Sequence, residues 1–247
     1  MEIVSAHRCD IGRTHSQNDD YVWVDEAANI FIVADGMGGQ EAGNVASRMT
    51  AETVGAMLAR EMRTAPQLAA EDITKIMVEA IETANRDVFS AAQKAEQKRK
   101  MGTTIVAVVV KADVVTISHA GDSRAYLLRG QTLQQLTEDD SWGAQFAAAG
   151  VENKKNGEKG RFDHFLTKSI GQGSEIDPSL LTVYVQPNDW LLLCSDGLWN
   201  MVDDAQILRV LLNAGDNPQA AVDTLVSAAN AAGGKDNISV IALKFLN

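Results

Sequence analysis

The sequence predicts an α+β fold in which two stacked, mainly antiparallel β-sheets are flanked by pairs of helices. Short apolar segments bounded by glycine, aspartate or asparagine, which are typical of strands, fall into two blocks along the chain. A pair of segments with helical spacing of apolar residues follows each block. This order differs from the strand–helix alternation of a wound parallel sheet. Two facing sheets with helices outside would bury the apolar segments on both sides.

The first half of the chain is predicted to supply three short strands, two long helices, two further strands and a hairpin. The second helix is indicated by a stripe that includes Ile73, Met77, Ile81 and Val88. DVVTISHAG alternates as a strand does, and RAYLLRG followed by QTLQQLT predicts a hairpin. We predict strands at Ile3–Cys9, Tyr21–Asp25, Asn29–Asp35 and Thr103–Lys111, helices at Glu41–Met62 and Glu71–Gln97, and a turn at Gly130–Gln131.

The second half begins with a break in the pattern, from about Ser141 to Phe165. Its polar, glycine-bearing stretch predicts a surface flap, in which WGAQFAAAG could form a short helix. Strands resume at LLTVYV and DWLLLCSD, helices follow at Asp203–Asn213 and Pro218–Ala232, and ISVIALKF is the last strand. Since no repeat or low-complexity linker divides the chain, we expect residues 1–247 to form a single domain.

Charge argues against partners that are themselves anionic. The net charge is −11, from 22 basic and 33 acidic residues, so the chain would repel nucleic acid and anionic membrane. The basic clusters are QKRK near Lys98 and KKNGEKGR around Lys154. A solvated helix end is the favoured interpretation of the first, and a binding patch is the alternative.

The cysteines and the apolar segments predict a cytoplasmic protein. Cys9 and Cys194 form neither a disulfide framework nor a zinc spacing, and a reducing compartment suits them. The N-terminus lacks the pattern of a signal peptide, and the longest apolar runs are too short to span a bilayer.

An aspartate at the end of an apolar strand is the first candidate for chemistry. IFIVADGMGG runs from strand-forming residues into Asp35, followed by Gly36, Gly38 and Gly39 around a lone Met37. Carboxylate oxygens beside bare backbone carbonyls are the ligands that a hard divalent cation prefers. A tight turn whose aspartate caps the helix near Glu41 explains the same residues, and this segment alone leaves both interpretations open.

The same pattern recurs along the chain. One aspartate at a strand boundary is ordinary turn chemistry, but several that converge would repel one another unless cations neutralised them. Oxygen ligands without histidine or cysteine favour magnesium or manganese over zinc. The acidic residues at strand boundaries are Asp19, Asp20, Asp35, Asp122, Asp196 and Asp236.

These motifs resemble those of a known family. ADGMGG, AGDSR, LLLCSDGLW and GGKDNISV, in this order, resemble the sequence blocks of the metal-dependent serine/threonine protein phosphatases, the type 2C family. NDD is similar to that family's N-E-D or N-Q-D block, and LTKSIG to its L-T-R-x-L-G block. The resemblance covers about Asp10 to Phe245. The compact length and the methionine in DGMGG are similar to the bacterial single-domain branch.

The resemblance implies two metal ions, manganese or magnesium, in a cleft at one edge of the sheets. Asp35 would lie between both ions, and the carbonyl oxygen of Gly36 would bind the second. Asp196 and Asp236 would complete the protein ligands of the first. Asp35, Asp196 and Asp236 are therefore the implied catalytic residues.

Three further aspartates have implied roles around these ions. Asp19 stands where the family usually has glutamate, and would contact the second ion directly or through water. Asp20 matches an aspartate that supports the metal-bound waters. Asp122 of AGDSR matches the aspartate that helps to hold a weaker third ion in bacterial members.

The implied reaction is hydrolysis of phosphoserine or phosphothreonine in proteins, which reverses a serine/threonine kinase. A hydroxide that bridges two cations would attack phosphorus in line, and the cations would neutralise charge on the other oxygens. No protein nucleophile is needed. Ser123 and Ser195 have no histidine partner in a recognisable motif, so we assign them structural roles.

The sequence departs from the family at two positions. His15 stands where the family usually has an arginine that grips the substrate phosphate, and imidazole cannot match its bidentate contacts. We expect Arg13, two residues away, or protonated His15 to bind the phosphate instead. Met37 stands where animal members have a histidine thought to protonate the leaving group, and we expect it to serve packing.

Other functions remain open at this point. A catalytically weak or dead relative that binds phosphoproteins is the first alternative, because the usual arginine is missing. A small-molecule phosphohydrolase would use the same metal chemistry. We expect a monomer.

Overall fold

The computed structural model describes residues 1–38, 41–65, 67–94, 101–150 and 165–247 of the chain. The strands in these ranges are β1 (Glu2–Asp10), β2 (Asp20–Asp25), β3 (Ile30–Met37), β4 (Gly102–Thr103), β5 (Ile105–Lys111), β6 (Val114–Ala120), β7 (Arg124–Arg129), β8 (Thr132–Gln135), β9 (Ser179–Tyr184), β10 (Trp190–Cys194) and β11 (Ile238–Leu246). The helices are α1 (Ala42–Thr64), α2 (Ala70–Lys94), α3 (Trp142–Ala148), α4 (Asp196–Trp199), α5 (Asp204–Asn213) and α6 (Pro218–Ala231).

The strands form two antiparallel sheets. One sheet has the order β1-β11-β10-β7-β8. The other has the order β2-β3-β5-β6-β9, and β4 pairs with the last two residues of β3. The pairing of β1 with β11 joins the two ends of the chain in one sheet.

Apolar side chains fill three layers. One layer lies between the sheets and includes Phe31, Val108 and Leu243. A second lies between α1, α2 and the β2–β9 sheet, and a third between α5, α6 and the β1–β8 sheet. The α2 stripe that includes Met77 and Ile81 is fully buried, since its spacing puts these side chains on one helix face. The predicted α+β fold with flanking helix pairs is therefore confirmed.

Three elements near the predicted site differ from expectation. β3 continues past Asp35, because Gly36 pairs with Thr103 and Met37 with Gly102. The apolar strand predicted from Thr103 is divided, with Thr104 between β4 and β5. Residues after Cys194 were predicted only as a strand end, but α4 begins at Asp196 and adds one helical turn there.

The predicted flap lies partly outside the described residues. Its first part is the helix α3, where Ser141 Oγ accepts a hydrogen bond of 3.2 Å from the N–H of Ala144. Residues 151–164 of the flap, KKNGEKGR included, lie outside the described residues, as do QKRK and the predicted end of the second helix. In the ranges that the structure covers, no helix combines the length and the apolar character needed to cross a membrane.

Candidate active site

Five of the predicted aspartates line one cavity of about 780 Å³. The cavity lies where the ends of strands from both sheets meet. Asp35 is in β3 of one sheet, while Asp196 follows β10 and Asp236 precedes β11 in the other. The predicted site residues that line it are Asp19, Asp35, Gly36, Asp122, Asp196, Asp236 and His15. The convergence on which the sequence interpretation depended is therefore present.

Asp35 is fixed through its backbone. Its N–H donates to Thr104 Oγ1 at 3.0 Å. Its carbonyl oxygen accepts from Thr103 Oγ1 and from the N–H of Thr104, each at 2.8 Å. These bonds occupy both backbone groups and fix the position of Asp35, which lines the cavity. Asp35 does not cap α1, whose first flanking residue is Glu41.

A cradle of oxygen atoms lies beside Asp35, between Gly36, Gly43 and Asp19. A Cβ atom on Gly43 would lie 2.8 Å from the carbonyl oxygen of Gly36 and 2.9 Å from Asp19 Oδ2. The two oxygens therefore face the same small space, which exists because residue 43 has no side chain. A Cβ atom on Gly36 would approach the Gly43 carbonyl oxygen to 2.1 Å, so glycine is required there too.

Asp19 is held by neighbouring amides. Its N–H donates to Asn237 Oδ1 at 2.7 Å, and its Oδ1 accepts from Gln17 Nε2 at 2.7 Å. Asn237 Nδ2 donates in turn to the carbonyl oxygens of Ile11 and Gln17. Asn237 therefore joins the loop before β2 to the loop before β11. This clamp was not predicted, although Asn237 follows the predicted Asp236 directly.

Asp20 is buried and is not among the residues that line the cavity. Its Oδ2 accepts a hydrogen bond of 2.7 Å from Ser195 Oγ, which itself accepts from the N–H of Ser239 at 2.9 Å. Asp20 pairs with Asp35 across β2 and β3. It thus lies behind the cavity wall that Asp35 forms.

Asp122 follows β6 and is positioned through Trp199. The indole Nε1 of Trp199 donates to the Asp122 carbonyl oxygen at 3.0 Å. The Arg124 guanidinium lies 3.6 Å from the Trp199 ring centroid and binds both carboxylate oxygens of Asp139, at 2.9 and 2.7 Å. A bidentate ion pair therefore supports the indole that holds the Asp122 loop.

Asp196 and Asp236 approach the cavity from the sheet that contains β10 and β11. Asp196 is in the first turn of α4, where its Oδ2 accepts from Asn200 Nδ2 at 3.1 Å. Asp236 precedes β11, and its Oδ1 lies 3.3 Å from His15 Nε2. The His15 and Asp236 side chains are 44% and 51% exposed, so both are open to a ligand in the cavity.

Burial and mutual repulsion raise the pKa values of Asp20, Asp35 and Asp122. Burial, followed by the charges of Asp20, Asp196, Asp122 and Asp236, holds the pKa of Asp35 well above its usual range. Burial, and then the charge of Asp196, raises the pKa of Asp122 to about 7. Burial also raises the pKa of Asp20 to about 7, despite its hydrogen bonds. The site as it stands therefore disfavours its own negative charge.

Such a site suits hard cations that retain part of their water shell. No three histidine, cysteine or acidic side chains in the described ranges are arranged to hold one ion by themselves. Magnesium typically keeps several waters and takes only one or two carboxylates from the protein. Asp35, the carbonyl oxygen of Gly36 and Asp19 around the glycine cradle fit this kind of binding, because all are oxygen donors beside a space that they leave open.

The two candidates for phosphate binding differ in position. His15 lines the cavity, whereas Arg13 is exposed and is not among the lining residues. The N–H of Arg13 donates to the Gly234 carbonyl oxygen at 2.7 Å, which ties this loop to the turn before β11. Among the described residues, no lysine or arginine lines the cavity.

Five apolar residues also line the cavity and were not predicted as site residues. They are Met37, Ala92, Met101, Phe165 and Leu166. Met37 and Leu166 belong to the ADGMGG and LTKSIG motifs, and Phe165 is the last residue of the predicted flap. No sequence signal marked Ala92, near the end of α2, or Met101, just before β4.

Comparisons with known proteins all point to one family. The family model of protein phosphatase 2C matches residues 11–230. Protein phosphatase PhpP of Streptococcus pneumoniae is 36% identical over 236 residues, which cover 94% of this chain and 93% of that protein. Serine/threonine phosphatase Stp1 from Staphylococcus aureus has a TM-score of 0.90 at 26% identity, over 100% of this chain and 96% of Stp1. The catalytic domain of PstP, a serine/threonine protein phosphatase solved with two manganese ions, has a TM-score of 0.85 at 28% identity over 99% of each chain.

Proposed function

The chain belongs to the protein phosphatase 2C family, and we propose that it hydrolyses phosphoserine and phosphothreonine in proteins with the help of manganese or magnesium. The observation that supports this most strongly is the convergence of five aspartates on one cavity. The names of the relatives and the manganese ions of PstP support the same reaction.

Asp35 would contact both of two ions. Asp196 and Asp236 would complete the protein ligands of the first, and the Gly36 carbonyl oxygen and Asp19 those of the second. Asp122 would help to hold a weaker third ion. Bound cations would supply a hydroxide nucleophile at neutral pH and neutralise charge on the phosphate oxygens.

The chain's own residues would orient the substrate and the ligands. His15 lines the cavity, and its imidazole would donate a hydrogen bond to a phosphate oxygen. Its contact with Asp236 would hold the imidazole beside the substrate position. Ser195 fixes the carboxylate of buried Asp20 behind the wall that Asp35 forms, where Asp20 would support Asp35.

We further propose a cytoplasmic monomer, folded as one domain, that opposes a serine/threonine kinase. The pairing of β1 with β11 supports one domain, because both ends of the chain share a sheet. Two free cysteines suit a reducing compartment. Light scattering at several concentrations tests the monomer, and a phosphoproteome with and without the protein tests the role against a kinase.

The reaction is tested by phosphate release from a phosphothreonine peptide, with manganese or with EDTA. We expect hydrolysis with manganese only, and a loss of about 10²-fold or more in Asp35→Asn and Asp196→Asn. Asp87→Asn is the matched control, because Asp87 is exposed on α2 and is not among the lining residues. Phosphosugars and nucleotides, tested alongside, distinguish a small-molecule phosphohydrolase.

A catalytically weak or dead phosphoprotein-binding relative is the second candidate. The observation that favours it is the lack of lysine or arginine among the described residues of the cavity wall. Tight binding of the phosphothreonine peptide without manganese-dependent phosphate release would establish it in place of the enzyme.

A further inference from the structure

The carboxylate of Asp140 has no part in the proposed reaction, yet it is bonded to the turn that carries Asp122. Asp140 lies between β8 and α3. Its Oδ2 accepts a hydrogen bond of 3.1 Å from the N–H of Gly121, and its own N–H donates to the Gly121 carbonyl oxygen at 3.0 Å. Gly121 directly precedes Asp122. One residue therefore binds both backbone groups beside a proposed cation ligand.

Gly121 needs such bonds because its backbone is otherwise permissive. Its φ of +107° lies in the region that favours glycine, and a Cβ atom there would lie 2.6 Å from Thr104 Cγ2. On the other side of Asp122, Ser123 Oγ and Thr104 Oγ1 are hydrogen-bonded at 2.7 Å. The turn is thus held after Asp122 by a buried hydroxyl pair and before it by Asp140.

Asp140 is itself fixed by contacts outside this turn. Its carbonyl oxygen accepts a hydrogen bond of 2.8 Å from the N–H of Thr167. Its Oδ1 lies 3.4 Å from Lys168 Nζ, which also donates to Ser179 Oγ at 3.2 Å. The carboxylate is therefore oriented from both of its oxygens, so that it offers Gly121 an acceptor in a defined position.

Lys168 also balances the charge of Asp140. The Asp140 side chain is only 16% exposed and lies close to a turn that carries another aspartate, so an unpaired carboxylate would be unfavourable there. His119 Nδ1 is 3.8 Å from Asp140 Oδ2, but burial lowers the pKa of this imidazole. The ammonium group of Lys168 is therefore the cation that stabilises Asp140.

We propose that Asp140 is a positioning residue, which fixes the Asp122 carboxylate through Gly121 and so sets the affinity of the cation bound at Asp122. The inference rests on the proposed function, in which Asp122 helps to hold a weaker third ion. Asp140 itself would contact neither an ion nor the substrate. Residues that orient metal ligands typically change metal affinity by about 10–100-fold when they are removed.

Manganese binding in the absence of substrate tests this. The electron paramagnetic resonance signal of free Mn²⁺ gives the number of ions bound per chain as manganese is added. Asp122→Ala should lose the weakest site. Asp140→Ala should raise the Kd of that site by about tenfold or more, and leave the other sites within about twofold. In the Asp122→Ala background, Asp140→Ala should have no further effect, because it acts through Asp122.

Matched variants separate position from charge. Asp140→Asn removes the charge but keeps an oxygen that can accept from Gly121, so its weakest site should stay close to the wild-type Kd. Asp87→Ala, which removes an exposed aspartate on α2, should bind manganese as wild type does. Circular dichroism checks folding. If Asp140→Ala does not fold, Asp140→Ser replaces it, and its hydroxyl, one bond shorter than the carboxylate, should also weaken the site.

The outcomes separate this inference from the proposed function. It is overturned if Asp140→Ala leaves the weakest site unchanged, weakens all sites equally, or weakens it no more than Asp140→Asn does. It is also overturned if Asp122→Ala binds as many ions as wild type. In each case, manganese-dependent hydrolysis of a phosphothreonine peptide by wild type would leave the proposed function standing. Absence of that hydrolysis, with the Asp122 site still weakened by Asp140→Ala, would contradict the proposed function alone.

Discussion

Ser195 Oγ donates a hydrogen bond of 2.7 Å to Oδ2 of Asp20, across a sequence separation of 175 residues. Both side chains are buried, and the N–H of Ser239 donates to the same Ser195 oxygen. One hydroxyl thus ties the start of β2 to the end of β10 and to β11. Since the Ser195 proton is committed to Asp20, the bond supports the prediction that this serine, next to Asp196, has a structural role.

Ser195→Ala should therefore lower stability without abolishing hydrolysis. The buried Asp20 carboxylate and the N–H of Ser239 would each lose a partner, at a cost of about 1–3 kcal/mol in the free energy of unfolding. Urea unfolding measures this loss. Ser5→Ala is the control, because Ser5 bonds to Glu26 in an exposed setting. Complete loss of phosphate release from a folded Ser195→Ala protein would instead favour a serine nucleophile.

Stability without metal should fall as the pH rises from about 4 to 7. The pKa of Asp122 is about 7 in the folded chain and about 3.9 when unfolded. The folded state therefore binds more protons between these values, and its stabilisation, complete below about pH 4, is lost as the pH rises through 7. Asp20, with a pKa of about 7, acts in the same direction.

Melting temperatures in EDTA at pH 5.5 and 8 measure this effect. Asp122→Asn should raise the melting temperature at pH 8 relative to wild type, and much less at pH 5.5. Manganese should stabilise wild type more at pH 8 than at pH 5.5, because cations replace the protons. An equal effect of Asp122→Asn at both pH values would show that charge repulsion at this site is not the cause.

His15 should contribute more to substrate binding than Arg13. His15 lines the cavity and Arg13 does not. His15→Ala should raise KM for a phosphothreonine peptide by about tenfold, as expected for a lost hydrogen bond to a charged group. Arg13→Ala, the matched neighbour, should change KM by less than about twofold. The reverse order of effects would assign phosphate binding to Arg13.

Gly43→Ala should weaken the second cation site. The new methyl group would enter the space between the Gly36 carbonyl oxygen and Asp19 Oδ2. We expect manganese activation to require a concentration at least about tenfold higher, since one site loses its oxygen donors. Gly173→Ala is the control, because its Cβ atom would meet only the Glu175 carbonyl oxygen at 3.5 Å. Unchanged manganese dependence in Gly43→Ala would exclude this cradle as a cation site.

Local sequence patterns predicted the helices and strands better than the contacts between distant parts of the chain. The α2 helix is buried on one face, and the apolar strands are buried on both. Such burial produces a pattern of apolar residues that is visible in a short stretch of sequence. The contact between Asn237 and Asp19 spans 218 residues and depends on how two sheets pack. No local pattern specifies such a contact, and the motif resemblance supplied the expectation that the aspartates converge.

Short departures from regular structure were also missed for a physical reason. Thr104 divides the strand predicted from Thr103, and its hydroxyl accepts a hydrogen bond from the N–H of Asp35 in a neighbouring strand. The turn of α4 at Asp196 is too short to show helical periodicity. His15 was a candidate because it stands where the family usually has an arginine. Its contact with Asp236 depends on the fold of two loops.

Anomalous diffraction from crystals grown with manganese tests the central claim most directly. We predict two manganese peaks about 3.5–4 Å apart in the aspartate-lined cavity, with an Asp35 oxygen bound to each ion. Asp35→Asn crystals grown in the same way should lose at least one peak. Manganese-dependent phosphate release from a wild-type protein whose crystals hold no manganese at Asp35 would contradict the account.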